Sequence, residues 1–217
     1  MDLIDKPILY SFRRCPYAMR ARMAILKSGF TCRLREVNLR DKPKEMIAVS
    51  PKGTVPVMVF GDGLILEESL EIMRWTLSKN DPDKWLEPES SSLTDMLNLI
   101  KNIDEKFKFH LDRYKYSTRY QGVDPIFHRE KALDALAPII EKLTKQKYLC
   151  GTKVSMADIA IFPFIRQFAN ANQKWFDNEE IGPLQSWLKQ HLDSKVFINS
   201  MNKWPIWKSN NEEELFP

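Results

Sequence analysis

The 217-residue sequence lacks most features that mark an unusual protein. It has seven glycines and thirteen prolines, too few and too scattered for a collagen-like or low-complexity chain, and it has no internal repeat. Nowhere do about eighteen apolar residues run together, as a membrane span would require. The start of the chain, MDLIDK, is acidic and lacks the apolar region of a secretion signal. These absences predict a globular cytoplasmic protein.

Cysteine is also scarce. Cys15, Cys32 and Cys150 are an odd number without metal-ligand spacing, which argues against a secreted disulfide framework and against a zinc site. We therefore predict no metal, and any functional cysteine must act as a thiol. Cys32 lies within a predicted strand and Cys150 precedes a glycine, so both are predicted to be structural.

Positive charge is concentrated in one third of the chain. The net charge of +4 arises within residues 1–78, whereas residues 79–217 are balanced. No acidic residue interrupts the basic run between Asp5 and Glu36. This pattern favours an anionic small ligand, and a solvated basic face is the alternative. Nucleic acid is disfavoured as a partner, because no nucleic-acid-binding module and no interleaved aromatics accompany the charges.

Residues 1–78 alternate strand and helix signals. Alternation of apolar and basic residues over 31–37 is typical of a strand near a sheet edge. The predicted elements are a strand over 7–11, a helix from Pro16 to Gly29, a strand over 31–37, a short helix after Pro43, a hairpin over 55–66 and a helix from Ser69. The order β-α-β, then β-β-α, indicates a thioredoxin-like α/β domain.

The remaining chain shows helical periodicity alone. Residues 79–88 are polar and proline-bearing, as in a linker, and residues 89–217 are predicted to form an all-α C-terminal domain. Its most hydrophobic helix should run from Ile159 to Phe168 and lie at the domain centre. The tail over 204–217 is predicted to be irregular.

Cys15 is the strongest candidate for chemistry. It lies between a strand ending at Ser11 and a helix opening at Pro16, which makes it the predicted N-cap. Helix-start amides and the neighbouring Arg13 and Arg14 should stabilise its thiolate, lowering a pKa of about 8.5 into the range of roughly 3.5–7.5. The alternative is an inert, half-buried cysteine.

The residue one turn after Cys15 limits what this thiol does. A dithiol oxidoreductase has a second cysteine in C-x-x-C spacing, and here that position holds Ala18. A mixed disulfide on Cys15 must then be resolved by an external thiol, which indicates a monothiol cycle dependent on glutathione.

Together these residues resemble a known family. The chain is similar throughout its length to the cytosolic glutathione transferases, and within them to the cysteine-type classes, above all the omega class. The matching segments are SFRRCPYA at 11–18, NLRDKP at 38–43, PKGTVPV at 51–57, ES at 68–69 and SMAD at 155–158.

The resemblance implies roles around the sulfur of bound glutathione. Cys15 would bond to that sulfur or lie against it, with Tyr17 nearby. The peptide between Val55 and Pro56 would be cis, and the Val55 N–H and C=O would pair with the cysteinyl part of glutathione as a short strand does. Thr54 belongs to the same glutathione-binding segment.

The resemblance also implies roles at the two ends of the ligand. The Ser69 hydroxyl and helix-start amides would take the γ-glutamyl carboxylate, and Glu68 would take the ammonium group. Lys42 would meet the glycyl carboxylate. The alternatives are a simple N-cap for Ser69 and a solvated surface side chain for Lys42. Ser155 and Asp158 would form a buried folding motif.

The function expected from this resemblance is glutathione-dependent thiol transfer or reduction, with glutathione as co-substrate. Family members that conjugate electrophiles usually present Tyr or Ser instead, and Tyr10 and Ser11 lie in that region. A cysteine favours reduction because it forms a disulfide with glutathione.

Two alternatives come from other classes of protein. The first is a non-enzymatic interaction or stress-response module, which usually lacks the cysteine or the γ-glutamyl residues. The second is a channel-like relative that inserts its first helix into a membrane, and the arginines around that helix disfavour it. The resemblance implies a homodimer. Second-substrate candidates are Tyr114, Tyr116, Trp175 and Trp204, and no pattern marks His110, His128 or His191 as catalytic.

Overall fold

The computed structural model describes residues 6–217, which separate into two compact units. The first unit comprises the chain up to Asp83 together with Ser194–Pro217, and the second is Lys84–Asp193. The sequence predicted a first domain ending at residue 78, a linker over 79–88 and a helical domain over 89–217. The structure departs from this prediction at the end of the chain, because Ser194–Pro217 returns to the first unit.

The described residues form five strands and ten α-helices. The strands are β1 Ile8–Ser11, β2 Cys32–Glu36, β3 Val57–Val59, β4 Ile65–Leu66 and β5 Glu214–Phe216. The helices are α1 Pro16–Ser28, α2 Lys44–Val49, α3 Ser69–Lys79, α4 Leu93–Asn102, α5 Lys108–Lys115, α6 Pro125–Lys145, α7 Met156–Ala169, α8 Gln173–Asn178, α9 Gly182–Leu192 and α10 Lys195–Ser200.

The first unit is built on one mixed sheet in the order β4-β3-β1-β2-β5. Strands β1 and β2 are parallel, with Ile8 opposite Arg33, and α1 connects them. Strand β3 runs antiparallel to both β1 and β4. The βαβ unit and the hairpin were both predicted, and the thioredoxin-like fold class is confirmed.

Alternation along β1 divides the core between the two faces of the sheet. Leu9 and Tyr10 belong to separate buried clusters, because successive side chains of a strand point to opposite faces. One cluster comprises Leu9, Ala21, Ile25, Cys32, Leu34, Met58, Ile72 and Phe216. The other comprises Tyr10, Val37, Met46, Val55 and Val57. The second face carries the loop that precedes β3.

Strand β5 is the outermost strand on the β2 side of the sheet. It pairs antiparallel with β2, placing Cys32 opposite Phe216, so β2 is the second strand from the edge, which agrees with the predicted position near a sheet edge. The basic side chains that suggested exposure are paired with the tail: Arg35 Nε donates to Glu213 Oε2 at 3.3 Å, and Arg33 lies 3.9 Å from the same carboxylate. Only Glu214–Phe216 forms a strand, and residues 201–213 contain no named helix or strand, so the predicted irregular tail is wrong for the last few residues alone.

The second unit contains helices and no named strand within Lys84–Asp193. Its most hydrophobic helix, α7, begins at a capping box in which the Ser155 amide donates to Asp158 Oδ2 at 2.8 Å. The buried Asp158 also accepts hydrogen bonds from the Leu149 amide and Trp187 Nε1, each at 2.9 Å. This helix is buried along almost its whole length, as predicted. Within residues 6–217 no helix combines the length and apolarity needed to cross a bilayer.

Candidate functional site

Cys15 is the N-cap of α1, as the sequence predicted. Its backbone is extended (φ −77°, ψ 123°), and its carbonyl accepts the Met19 amide at 2.9 Å, the first hydrogen bond of the helix. The Cys15 amide closes a turn by donating to the Phe12 carbonyl at 2.9 Å. The thiol is half-buried, and Sγ donates to the Val55 carbonyl at 3.6 Å.

A cleft of about 530 Å³ in the first unit gathers every glutathione-site residue that the resemblance implied. They are Cys15, Tyr17, Lys42, Thr54, Val55, Pro56, Glu68 and Ser69. Leu39, Lys52, Gly53 and Glu67 complete the lining and were not predicted as site residues. Two of these four residues, Lys52 and Gly53, lie in the PKGTVPV segment before β3, Leu39 lies in the NLRDKP segment, and Glu67 immediately precedes Glu68. Their places within or beside the family segments are the signal that could have indicated them.

The floor of the cleft is formed by the turn into β3. The Val55–Pro56 peptide is cis, as the resemblance implied. Gly53 precedes it with a φ of +60°, a backbone conformation that side-chain-bearing residues rarely adopt. A Cβ added at Gly53 would lie 3.1 Å from Ile47 Cδ1 and 3.5 Å from Lys42 Nζ. Glycine therefore permits both the turn and the close approach of Lys42.

The start of α3 presents polar groups at one end of the cleft. Ser69 is the first residue of the helix and is buried, whereas Glu68 is the N-cap residue, with a side chain that is 65% exposed. Glu68 Oε1 accepts a hydrogen bond from Lys52 Nζ at 2.6 Å. The neighbouring Glu67 accepts from Ser50 Oγ at 2.5 Å, which fixes its carboxylate to the β3 loop. The exposed Glu68 carboxylate, the buried Ser69 hydroxyl and the amides at the start of α3 together suit a ligand end that carries both an ammonium group and a carboxylate.

The two alternative hydroxyl groups are not in the cleft. Tyr10 is buried on the sheet, its hydroxyl accepts a hydrogen bond from Arg35 Nη1 at 2.7 Å, and burial raises its pKa. Ser11 is fully buried. Neither residue lines the cleft, whereas Cys15 does.

The other cysteines are structural in their environments. Cys32 lies in the core of the first unit, where burial raises its pKa to about 12. Burial also raises the pKa of Cys150 in the second unit. At neutral pH both are protonated thiols, which are poor nucleophiles.

The basic run does not form one solvated face. Arg20 and Arg22 are fully buried, and Arg20 lies over the Tyr17 ring with 5.3 Å between the guanidinium carbon and the ring centroid. Exposed Arg14 lies over Phe12 at 5.5 Å. The cations that line the cleft are Lys42 and Lys52, outside that run.

The aromatic residues considered for the second substrate, and the three histidines, lie in different parts of the structure. Tyr114 and Trp175 contact each other in the second unit, whereas Trp204 packs against Phe216 in the first. Tyr116 accepts a hydrogen bond from Gln167 Nε2. His110 and His128 pair through their Nδ1 atoms at 2.7 Å, and His191 stacks on Phe162. Within residues 6–217 no group of three or more His, Cys, Asp or Glu side chains is arranged to hold a metal ion.

Two family profiles match the chain. Residues 9–85 match the glutathione S-transferase N-terminal domain and residues 101–190 match the glutathione S-transferase C-terminal domain. The chain is 26% identical over 199 residues to glutathione S-transferase omega-1 of Sus scrofa, covering 91% of this chain and 77% of that protein. It is also 26% identical over 200 residues to maleylacetoacetate isomerase of Mus musculus, covering 88% and 90%.

Solved structures are similar over the same length. A glutathione transferase family member from Pseudomonas fluorescens Pf-5, crystallised with two glutathione molecules bound, superposes with a TM-score of 0.77 at 18% identity, covering 91% of this chain and 92% of that one. Glutathione transferase Omega 3C from Trametes versicolor gives a TM-score of 0.76 at 18% identity, covering 90% and 84%. These likenesses confirm the fold.

Proposed function

Because this chain belongs to the glutathione S-transferase family, we propose that it is a glutathione-dependent thiol transferase that works through a mixed disulfide between Cys15 and glutathione. The observation that supports this most directly is the position of the Cys15 sulfur. It lies in the cleft, at the start of α1 and 3.6 Å from the Val55 carbonyl. An acceptor at that position suits a ligand backbone N–H lying beside the same sulfur.

The proposed reaction has two thiol–disulfide exchanges. The Cys15 thiolate attacks the glutathione sulfur of a mixed-disulfide substrate, forming an enzyme–glutathione disulfide and releasing the substrate thiolate, which takes up a proton. A second glutathione, as its thiolate, then attacks the glutathione sulfur of that disulfide. This step regenerates the Cys15 thiolate and releases oxidised glutathione. Ala18 provides no local thiol, so the second exchange depends on free glutathione.

We assign the ligand contacts as follows. Glu68 takes the γ-glutamyl ammonium group, Ser69 and the α3 amides take its carboxylate, and Lys42 takes the glycyl carboxylate. Tyr17 and Thr54 line the cleft beside the cysteinyl segment. We add Lys52 to these residues, because its side chain donates a hydrogen bond to the Glu68 carboxylate, the same carboxylate that the ammonium group of the ligand would approach.

Two further expectations belong to the proposal. We propose a homodimeric, cytoplasmic protein, on the ground that the family resemblance implies both. Sedimentation equilibrium of the full chain tests the first expectation: a mass near the 25.5 kDa of one chain contradicts a dimer, and a mass near twice that value supports it.

Cys15→Ser tests the reaction type. With hydroxyethyl disulfide and glutathione we expect the wild type to show ping-pong kinetics and the variant to lose disulfide reduction, because a hydroxyl group cannot form the disulfide intermediate. Cys32→Ala is the matched control, since its thiol is buried and protonated, and it should retain the activity. Undiminished reduction by Cys15→Ser contradicts the proposal.

Intact-protein mass spectrometry distinguishes the non-enzymatic alternative. Incubation with oxidised glutathione should add one glutathione to the wild type and none to Cys15→Ser. If the wild type binds immobilised glutathione but forms no adduct and turns over no disulfide, the chain is a glutathione-binding module without this catalysis. Conjugation of chlorodinitrobenzene that is independent of Cys15 would indicate a transferase of a different chemistry.

A further inference from the structure

The turn that carries Cys15 is tied to the neighbouring strand by one carboxylate. Glu36, the last residue of β2, accepts the Arg13 amide at Oε1 over 2.6 Å. Arg13 lies two residues before Cys15, inside the turn that the Cys15 amide closes onto Phe12. Glu36 on β2 thus helps to fix the backbone position of Cys15.

The second oxygen of the same carboxylate holds α1. Arg22 Nη1, seven residues after Cys15, donates to Glu36 Oε2 at 3.2 Å. The Arg22 side chain is 0% exposed and that of Glu36 is 6% exposed, so the pair is shielded from water. Cys15 therefore lies between two points of the chain that one buried carboxylate holds together.

The tail completes this arrangement. Arg22 Nη2 donates to the Asn202 carbonyl at 3.1 Å, and the Trp207 amide donates to the Glu36 carbonyl at 2.8 Å. A buried Arg–Glu pair contributes little net stability unless additional hydrogen bonds satisfy its remaining atoms. Here two additional side-chain hydrogen bonds of the pair go to the turn before Cys15, through Glu36 Oε1, and to the tail, through Arg22 Nη2.

We infer that Glu36 is a positioning residue for the Cys15 thiol: its Oε1 holds the Arg13 amide and thereby keeps Cys15 at the N-cap of α1. Its importance for turnover rests on the proposed function. Its effect on the thiol does not, because helix-start amides favour the thiolate whatever reaction follows. Loss of the Arg13 contact should loosen the turn and raise the pH at which Cys15 ionises.

A matched pair of double variants isolates the acceptor at position 36. R22M/E36Q keeps an oxygen for the Arg13 amide, R22M/E36M removes it, and neither leaves a buried unpaired charge. The readout is the pH dependence of iodoacetamide alkylation at Cys15, followed by mass spectrometry of the peptide that contains it. We expect R22M/E36Q to keep the wild-type midpoint. R22M/E36M should shift it upward by about half a pH unit, slowing alkylation about threefold below the midpoint.

A second tail contact serves as the control. E213Q weakens the Arg35–Glu213 pair between β2 and the tail, which does not touch the Cys15 turn, and should leave the midpoint unchanged. Identical midpoints in the two double variants would overturn the inference and leave Glu36 a stability residue only. A midpoint shift in E213Q equal to that in R22M/E36M would also overturn the inference, because any loosening of the tail would then be enough to raise the pH at which Cys15 ionises.

The same variants separate this inference from the proposed function. Alkylation requires no glutathione, so a wild type that fails to reduce hydroxyethyl disulfide contradicts the thiol-transferase proposal without affecting the comparison of midpoints. Conversely, equal midpoints in the double variants alongside normal Cys15-dependent reduction contradict the role of Glu36 alone.

Discussion

At the scale of single residues, the proposed reactive thiol and the proposed ligand-binding groups lie at the starts of two different helices of the cleft. In the proposed function Cys15 supplies the reactive atom at the start of α1, whereas Glu68 and Ser69 supply charge and hydrogen bonds to the ligand at the start of α3. Both positions lie at helix N-termini, where backbone amides and the helix dipole favour negative charge. A thiolate is therefore favoured at the start of α1, and a ligand carboxylate is favoured at the start of α3.

The recognition residues give a testable prediction. Glu68→Ala and Ser69→Ala should each weaken glutathione binding by about 1 kcal/mol or more, roughly fivefold, because each removes one partner of a charged ligand end. Isothermal titration calorimetry measures the change. Glu71→Ala is the control: it removes another exposed carboxylate, in the first turn of α3 and outside the cleft. Unchanged affinity in both site variants contradicts the assigned roles.

At the scale of elements, the C-terminal strand is the most unexpected part of the first unit. Strand β5 satisfies the free edge of β2 and contributes Phe216 to the cluster around Leu9. An uncovered strand edge invites pairing with other chains, so covering it also protects the sheet. The tail is therefore part of the folding unit that holds the cleft.

Neighbouring residues of β5 test this role. Phe216 is 1% exposed and Leu215 is 40% exposed, because they point to opposite faces of the strand. Phe216→Ala should destabilise the first unit by about 3 kcal/mol through the cavity it leaves. Differential scanning calorimetry of the full chain should show a midpoint lowered by roughly 6–12 °C, at about 2–4 °C per kcal/mol for a chain of this length. Leu215→Ala should change the midpoint by a small fraction of that, and equal effects would mean that the strand is not packed on the core.

At the scale of the whole molecule, the two units carry different kinds of buried polar group. The first unit buries arginines paired with glutamates, and the second buries His191 beside Asp158. Burial lowers the pKa of His191 to about 4, although the Asp158 carboxylate acts in the opposite direction. Unfolding restores a pKa near 6.5, so the unfolded chain binds more protons at acidic pH.

This difference predicts how stability depends on pH. His191 contributes its full stabilisation above about pH 6.5, and that contribution falls as pH decreases toward 4, by on the order of 1 kcal/mol per pH unit. Urea unfolding of the second unit, monitored between pH 7 and 4.5, measures the slope. His191→Phe removes the titrating group and keeps an aromatic ring against Phe162, so it should flatten the profile. A slope equal to that of the wild type contradicts the assignment to His191.

The features that depend on local interactions follow from the amino-acid sequence. Apolar alternation and periodicity set the strands and helices of the first unit, Pro16 and the preceding residues set the start of α1, and Ala18 excluded a local resolving thiol. The family segments also named eight residues that the structure gathers into one cleft. Each of these features depends on neighbours within a few residues, or on short motifs that have one common structural use.

The other features depend on contacts between segments that are distant in the sequence. The alternation that includes Arg33 and Arg35 predicts a strand near a sheet edge, but it does not predict their partner, because Glu213 lies about 180 positions away in the chain. The return of β5 to the sheet, the link between Lys52 and Glu68, and the contact of Glu36 with the Arg13 amide have the same origin. These interactions join segments distant in sequence, and their geometry follows from packing the sheet and from burying charge beside its counter-charge.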